Sequence, residues 1–70
     1  MYLIFTNHAR EQIEERKIIM VWVKEAIKWP DYTKRISSNN YIVTKKLNGR
    51  SIEVVYIKER YIKVLTVYWL

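Results

Sequence analysis

Seventy residues carry 13 Lys and Arg against 7 Asp and Glu, with one His, one Gly, one Pro and no Cys, which describes one small basic domain of net charge +6 over residues 1–70. Half of the residues are apolar, too many for a disordered tail. The lack of Cys excludes a disulfide framework and a thiolate zinc site, and one His alone makes no familiar zinc site, so neither metal nor cofactor is expected and a reducing, cytoplasmic setting is.

Chain order gives the elements. Tyr2 to Thr6 is a short β-prone run with no basic segment before it, so it does not read as a signal peptide and the mature protein is expected to start at Met1. Thr6 or Asn7 can cap a helix over residues 7–16, whose apolar positions Ala9 and Ile13 lie four apart. Arg16-Lys17 interrupts. Ile18 to Val23 is the longest apolar run, six residues against the roughly 20 of a membrane span, so no bilayer crossing is expected. It opens a second helix with a broad apolar stripe, which Pro30 ends after Trp29.

From Asp31 the period changes from helical to two. Tyr32 to Ile36 reads as an edge strand, Ser37 to Asn40 as a loop, and Tyr41 to Leu47 as a strand. Asn48-Gly49 predicts a two-residue type I′ hairpin into a strand over Arg50 to Lys58, because both central positions of that turn need positive φ. Glu59-Arg60 then turns into a last strand, Tyr61 to Trp69. The expected fold class is therefore α+β, with two N-terminal helices packed on one face of a three- to four-stranded antiparallel sheet. Residues 36–70 hold 6 basic and 2 acidic groups against 7 and 5 in residues 1–35, so the basic excess falls on the sheet half.

Pairing the strands through two-residue turns sorts their side chains. One face carries Tyr41, Val43, Leu47, Ile52, Val54, Tyr56, Leu65, Val67 and Trp69, the expected core face, with Lys45, Arg50 and Lys63 as its charges. The other carries Ile42, Val55, Ile57, Ile62 and Val64 toward one end, and Thr44, Lys46, Ser51, Glu53, Thr66 and Tyr68 toward the Asn48-Gly49 end, with Glu53 opposite Thr66. A cation, a carboxylate, a phenol and hydroxyls together can hold a phosphate and move a proton. An antiparallel sheet also ordinarily turns one polar face to water, so the same cluster fits a solvated surface. Histidine is the side-chain type suited to acid/base work near neutral pH, so His8 is available for it, yet a His in a first helical turn is more often a surface residue. Arg16 suits either a phosphate or the C-terminal carbonyls of its helix. Trp22, Trp29 and Trp69 read as core or interface anchors.

The string Phe5-Thr6-Asn7-His8-Ala9-Arg10, then Arg16-Lys17-Ile18, the helix closed by Trp29-Pro30-Asp31 and the ending Ile62 to Tyr68 resemble a small prokaryotic family of unknown function. That family is grouped with the RelE/ParE toxin-like superfamily and is similar to BrnT toxins. The resemblance implies a RelE-like fold and, for many relatives, ribonuclease activity within a toxin–antitoxin pair. It points to His8, Arg16, Thr66 and Tyr68, with Lys45, Lys46 and Arg50 as further candidates. Lys17 departs from the pattern, standing where a Gly is usual, and Ile19-Met20 replaces a polar helix cap.

Together these readings predict a metal-independent endoribonuclease. Lys46, Arg50 and Arg16 would meet phosphate charge, His8 or Tyr68, and less directly Glu53, would transfer protons, and Thr66 would orient the substrate. The alternative is a non-catalytic module of the same fold that binds nucleic acid or an acidic protein through the same cations. Expected partners are RNA, including ribosome-bound mRNA, and an acidic antitoxin, in a homodimer or an antitoxin complex, with no membrane.

Overall fold

The computed structural model describes residues 2–70. Its elements run β1 (Leu3–Phe5), α1 (Asn7–Glu15), α2 (Met20–Lys28), β2 (Tyr32–Arg35), β3 (Asn40–Leu47), β4 (Arg50–Lys58) and β5 (Ile62–Trp69). The α+β class and the two helices are as the sequence predicts. The sheet is larger and mixed: five strands in the order β1-β5-β4-β3-β2, with β1 parallel to β5 and the remaining pairs antiparallel. The expectation of three or four antiparallel strands therefore falls short by the N-terminal strand. No local pattern announces that pairing, because a three-residue strand meets its partner nearly the whole chain away.

Local chemistry sets the helix ends. Thr6 caps α1, its Oγ1 accepting the Ala9 N–H at 3.0 Å. At the other end Ile18 N–H donates to the Ile13 carbonyl at 2.9 Å and Lys17 N–H to that of Glu14 at 3.3 Å, the paired bonds of a Schellman motif. Its left-handed position, normally a glycine, is Lys17 at φ 53°. Ile18 and Ile13, the apolar pair that accompanies this motif, are both buried. α2 starts at Ile19 with no side-chain cap and stops at Trp29, ahead of Pro30.

The core lies between the helices and one sheet face. Ala9 and Ile13 of α1 and Val23, Ala26 and Ile27 of α2 close over Val43, Ile52, Val54, Tyr56, Val64 and Val67. The turn at Asn48 (φ 46°) and Gly49 (φ 84°) has positive φ at both central residues, and β3 pairs with β4 in the predicted register, Thr44 opposite Glu53 and Lys46 opposite Ser51.

The β4–β5 register departs from the predicted one twice. Lys58 pairs with Ile62, so the loop has three residues, one more than expected. A bulge then interrupts the ladder between Val55 and Tyr56, where Thr66 and Val64 are the partners and Leu65 is the extra residue. A one-residue slip exchanges the two faces of a strand and a second slip restores them. Hence Ile62 and Val64 turn to the core, Val64 fully buried, and Lys63 turns away from it opposite Ile57. Beyond the bulge, Val67 and Trp69 keep the core face and Thr66 and Tyr68 the open one. This corrects the placement of Ile62, Val64, Lys63 and Leu65, and it removes two of the five apolar side chains expected on the open face.

Candidate nucleic-acid interface

A cleft of about 390 Å³ opens where the α1–α2 turn meets the β3–β4 hairpin and the end of β5. Arg16, Lys17, Trp22, Leu47, Asn48, Arg50 and Trp69 line it: three cations, two indoles and no carboxylate. Trp69 organises the group. Its ring lies 5.7 Å from that of Trp22 in an edge-to-face contact, and its Nε1–H donates to the Arg16 carbonyl at 3.0 Å. The Arg50 guanidinium sits over the same ring, 4.1 Å from its centre. Arg16 is held from its other end, because Nη1 donates to the Val67 carbonyl at 2.9 Å.

Both arginines are therefore positioned before any ligand arrives. A long flexible side chain ordered in advance loses less entropy when it meets an anion, and a guanidinium presents several N–H donors in one plane. Lys17 adds a third charge from a backbone conformation that disfavours any side chain, at a cost of roughly 1 kcal/mol. The two non-glycine residues with positive φ among the described residues, Lys17 and Asn48, both line this cleft.

A second group lies on the sheet face away from the helices. Tyr32, Thr44, Glu53 and Tyr68 are successive cross-strand neighbours, with Lys34, Ile42, Val55 and Thr66 as the adjacent row. Lys46 and Ser51 extend it toward the hairpin. Glu53 thus faces Tyr68 directly rather than Thr66, as the loop and bulge require. Lys46 is exposed, and its N–H donates to Asp31 Oδ2 at 2.7 Å.

The eight residues singled out from sequence fall into separate places. Arg16 and Arg50 meet in the cleft, whereas Glu53, Lys46, Thr66 and Tyr68 share the open face. Lys45 is on the helix side opposite Ile52, its Nζ 3.9 Å from Asp31 Oδ1. His8 is exposed in the first turn of α1, about 12 Å along the helix axis from Arg16 at 1.5 Å per residue. No single constellation gathers His8 with the arginines and the open-face cluster. Lys17, Trp22, Asn48 and Trp69 are site residues that the sequence reading did not select. The signal for Lys17 was there, a lysine in a glycine's place, while the pairing of Trp22 with Trp69 left no local trace.

Residues 5–69 match the family described as a domain of unknown function, DUF4258. The chain belongs to this family. No curated protein and no solved structure matches it. The DUF4258 match takes in both helices, β2 to β5 and every lining residue of the cleft. No helix among the described residues of this DUF4258 domain is long and apolar enough to cross a membrane.

Proposed function

We propose that the protein binds single-stranded RNA through the cleft, without needing a catalytic group there. The observation that carries this reading is the set of three cations around two indoles with no carboxylate among them. Single strands are held by cations along the phosphates together with planar groups that accept an unstacked base. Arg50, already layered on Trp69, offers its outer face to a base or its edge to a phosphate.

The test uses the tryptophans. Titration with a uridine decanucleotide should quench their emission, and the logarithm of affinity should fall with the logarithm of salt at a slope of about −2 for three phosphate contacts on a single strand. A Trp29→Phe variant removes the exposed indole outside the cleft and should leave the titration unchanged. Arg50→Ala should weaken binding and reduce the slope. Salt-independent binding, or an Arg50→Ala variant equal to wild type, contradicts the assignment.

Endoribonuclease activity, as in the toxin-like proteins that the sequence resembles, is a second reading. It is favoured by the Glu53–Tyr68 pair with Lys46 on the same face. There a carboxylate takes the 2′-hydroxyl proton, a phenol supplies one to the leaving oxygen, and an ammonium offsets charge on the phosphorane. An acidic antitoxin would then be the physiological partner. RNA incubated with excess protein in EDTA should be cut, and Glu53→Gln should abolish the cutting; intact RNA under those conditions leaves binding alone.

A further inference from the structure

The sheet ends on β1 and β2, and the chain covers the length of β5 that β1 leaves free while it leaves β2 open. On the β5 side, β1 covers Ile62 to Val64, and beyond its end three side chains at or near α1 take its place. Thr6 Oγ1 donates to the Leu65 carbonyl at 3.3 Å, Gln12 Oε1 accepts the Val67 N–H at 2.9 Å, and Arg16 caps the Val67 carbonyl. On the β2 side every residue from Tyr32 to Arg35 is exposed. The register from Tyr32 opposite Thr44 to Arg35 opposite Tyr41, with Ile36 N–H on the Asn40 carbonyl at 2.8 Å, fixes which backbone groups point where. In an antiparallel ladder alternate residues bond inward, so Tyr32 and Lys34 face β3, and Thr33 and Arg35 turn their N–H and C=O groups outward.

We propose that this edge accepts an extended, acidic peptide segment of a partner protein as a sixth strand. An unprotected edge is a template for strand addition, and the charges on it decide what can be added. β2 carries Lys34 and Arg35 and no carboxylate. A second copy of the chain, itself at +6, would line up four cations along one new ladder, and like charges in neighbouring cross-strand positions are destabilising. The same two cations favour a strand that bears carboxylates. Arg35 is already engaged, its Nε donating to the Ser37 carbonyl at 3.2 Å and its Nη2 to that of Ser38 at 2.9 Å, which leaves Lys34 as the cation available to the newcomer.

Register then specifies the peptide. A residue opposite Lys34 falls on the open face, and one two positions along falls opposite Tyr32, whose ring is largely exposed. The fitting segment thus places a carboxylate against Lys34 and an apolar side chain against Tyr32. This site shares no residue with the cleft, so it stands whether or not RNA binds there.

A fluorescein-labelled decapeptide in which every second residue is Thr and the residues between are Glu and Val in turn, so that Glu and Val stand two positions apart on one face, is the probe, with anisotropy and amide hydrogen exchange as readouts. Binding should slow exchange of the Thr33 and Arg35 amides at least tenfold. Thr33→Pro deletes an outward N–H and no bond to β3, so it should lower affinity at least tenfold with the unfolding midpoint unchanged. Lys34→Glu should lower affinity by a similar factor. Should Thr33→Pro unfold, a peptide N-methylated at alternate residues makes the same test from the other side and should fail to bind. The proposal is overturned if the N-methylated peptide binds as well as the parent, or if the parent leaves anisotropy unchanged at about 1 mM, where contacts worth 4 kcal/mol would register. It is equally overturned if light scattering of the free protein gives twice 8.6 kDa and Thr33→Pro halves it, because a second copy would then occupy the edge.

Discussion

The closed and open edges of this sheet differ in who supplies the missing strand. Along β5 the chain does it with its own side chains: Gln12 and Arg16, four apart on the helix and its cap, take the N–H and the C=O of the same residue, Val67, as a neighbouring strand would. Along β2 the chain supplies only charge. The contrast shows that a small domain can end a sheet with one turn of helix where the edge lies under the core, and leave the other end to solvent or to a partner. It also shows that Arg16 has two duties. The bond that closes the β5 edge is the one that aims its guanidinium into the cleft.

The largest expected effect comes from breaking the closed edge. Gln12 is buried, and Gln12→Leu leaves the Val67 N–H without its acceptor, which should cost about 2 kcal/mol in urea unfolding. Thr33→Pro at the open edge should change stability by no more than about 0.5 kcal/mol, since it removes a donor that faces water. Equal losses from the two variants would mean that the edges are not different in kind.

A smaller effect sharpens the comparison at the turn that brings Arg16 to the β5 edge. Lys17→Gly relieves a left-handed lysine and should raise stability by roughly 1 kcal/mol, while lowering the magnitude of the salt slope for RNA by about 0.7. Stability and binding moving in opposite directions is the signature of a residue kept for its charge. A gain in both would assign Lys17 to neither edge nor cleft.

The smallest effect tests whether the edges share one core. Burial raises the Tyr56 phenol above its ordinary value of 10.0, and Tyr41, stacked on it at 5.4 Å, raises it further. The folded state therefore holds the Tyr56 proton more tightly than the unfolded chain does. That contribution to stability is intact below pH 10 and is lost as pH rises from there through the raised folded value. Alkaline unfolding should free the Val67 and Val43 amides together, and Tyr56→Phe should flatten the pH dependence in that window.

What the sequence by itself determined was local. Thr6 as a cap, the stop at Pro30, the change of period after Asp31 and the Asn48-Gly49 turn are each settled within a few residues, and each stands in the fold where the pattern put it. The β3–β4 register followed from that turn alone, which is why Lys46, Thr44 and Glu53 were placed on one face correctly. The tertiary structure decided the rest. A loop one residue longer and a bulge at Leu65 moved Ile62, Val64 and Lys63 to the opposite faces, because strand faces alternate with a period of two and the Glu59 to Tyr61 loop carries no glycine to mark its length. β1 found β5, Trp69 found Trp22 and Arg50, and Val67 found Gln12 and Arg16, all across separations that no periodicity spans. Contacts of that kind are set by burial and by the need to pair every backbone group at a covered edge. They, rather than any motif, separated the eight residues read from the sequence into a cleft, an open face, a lysine on the helix side and an isolated histidine.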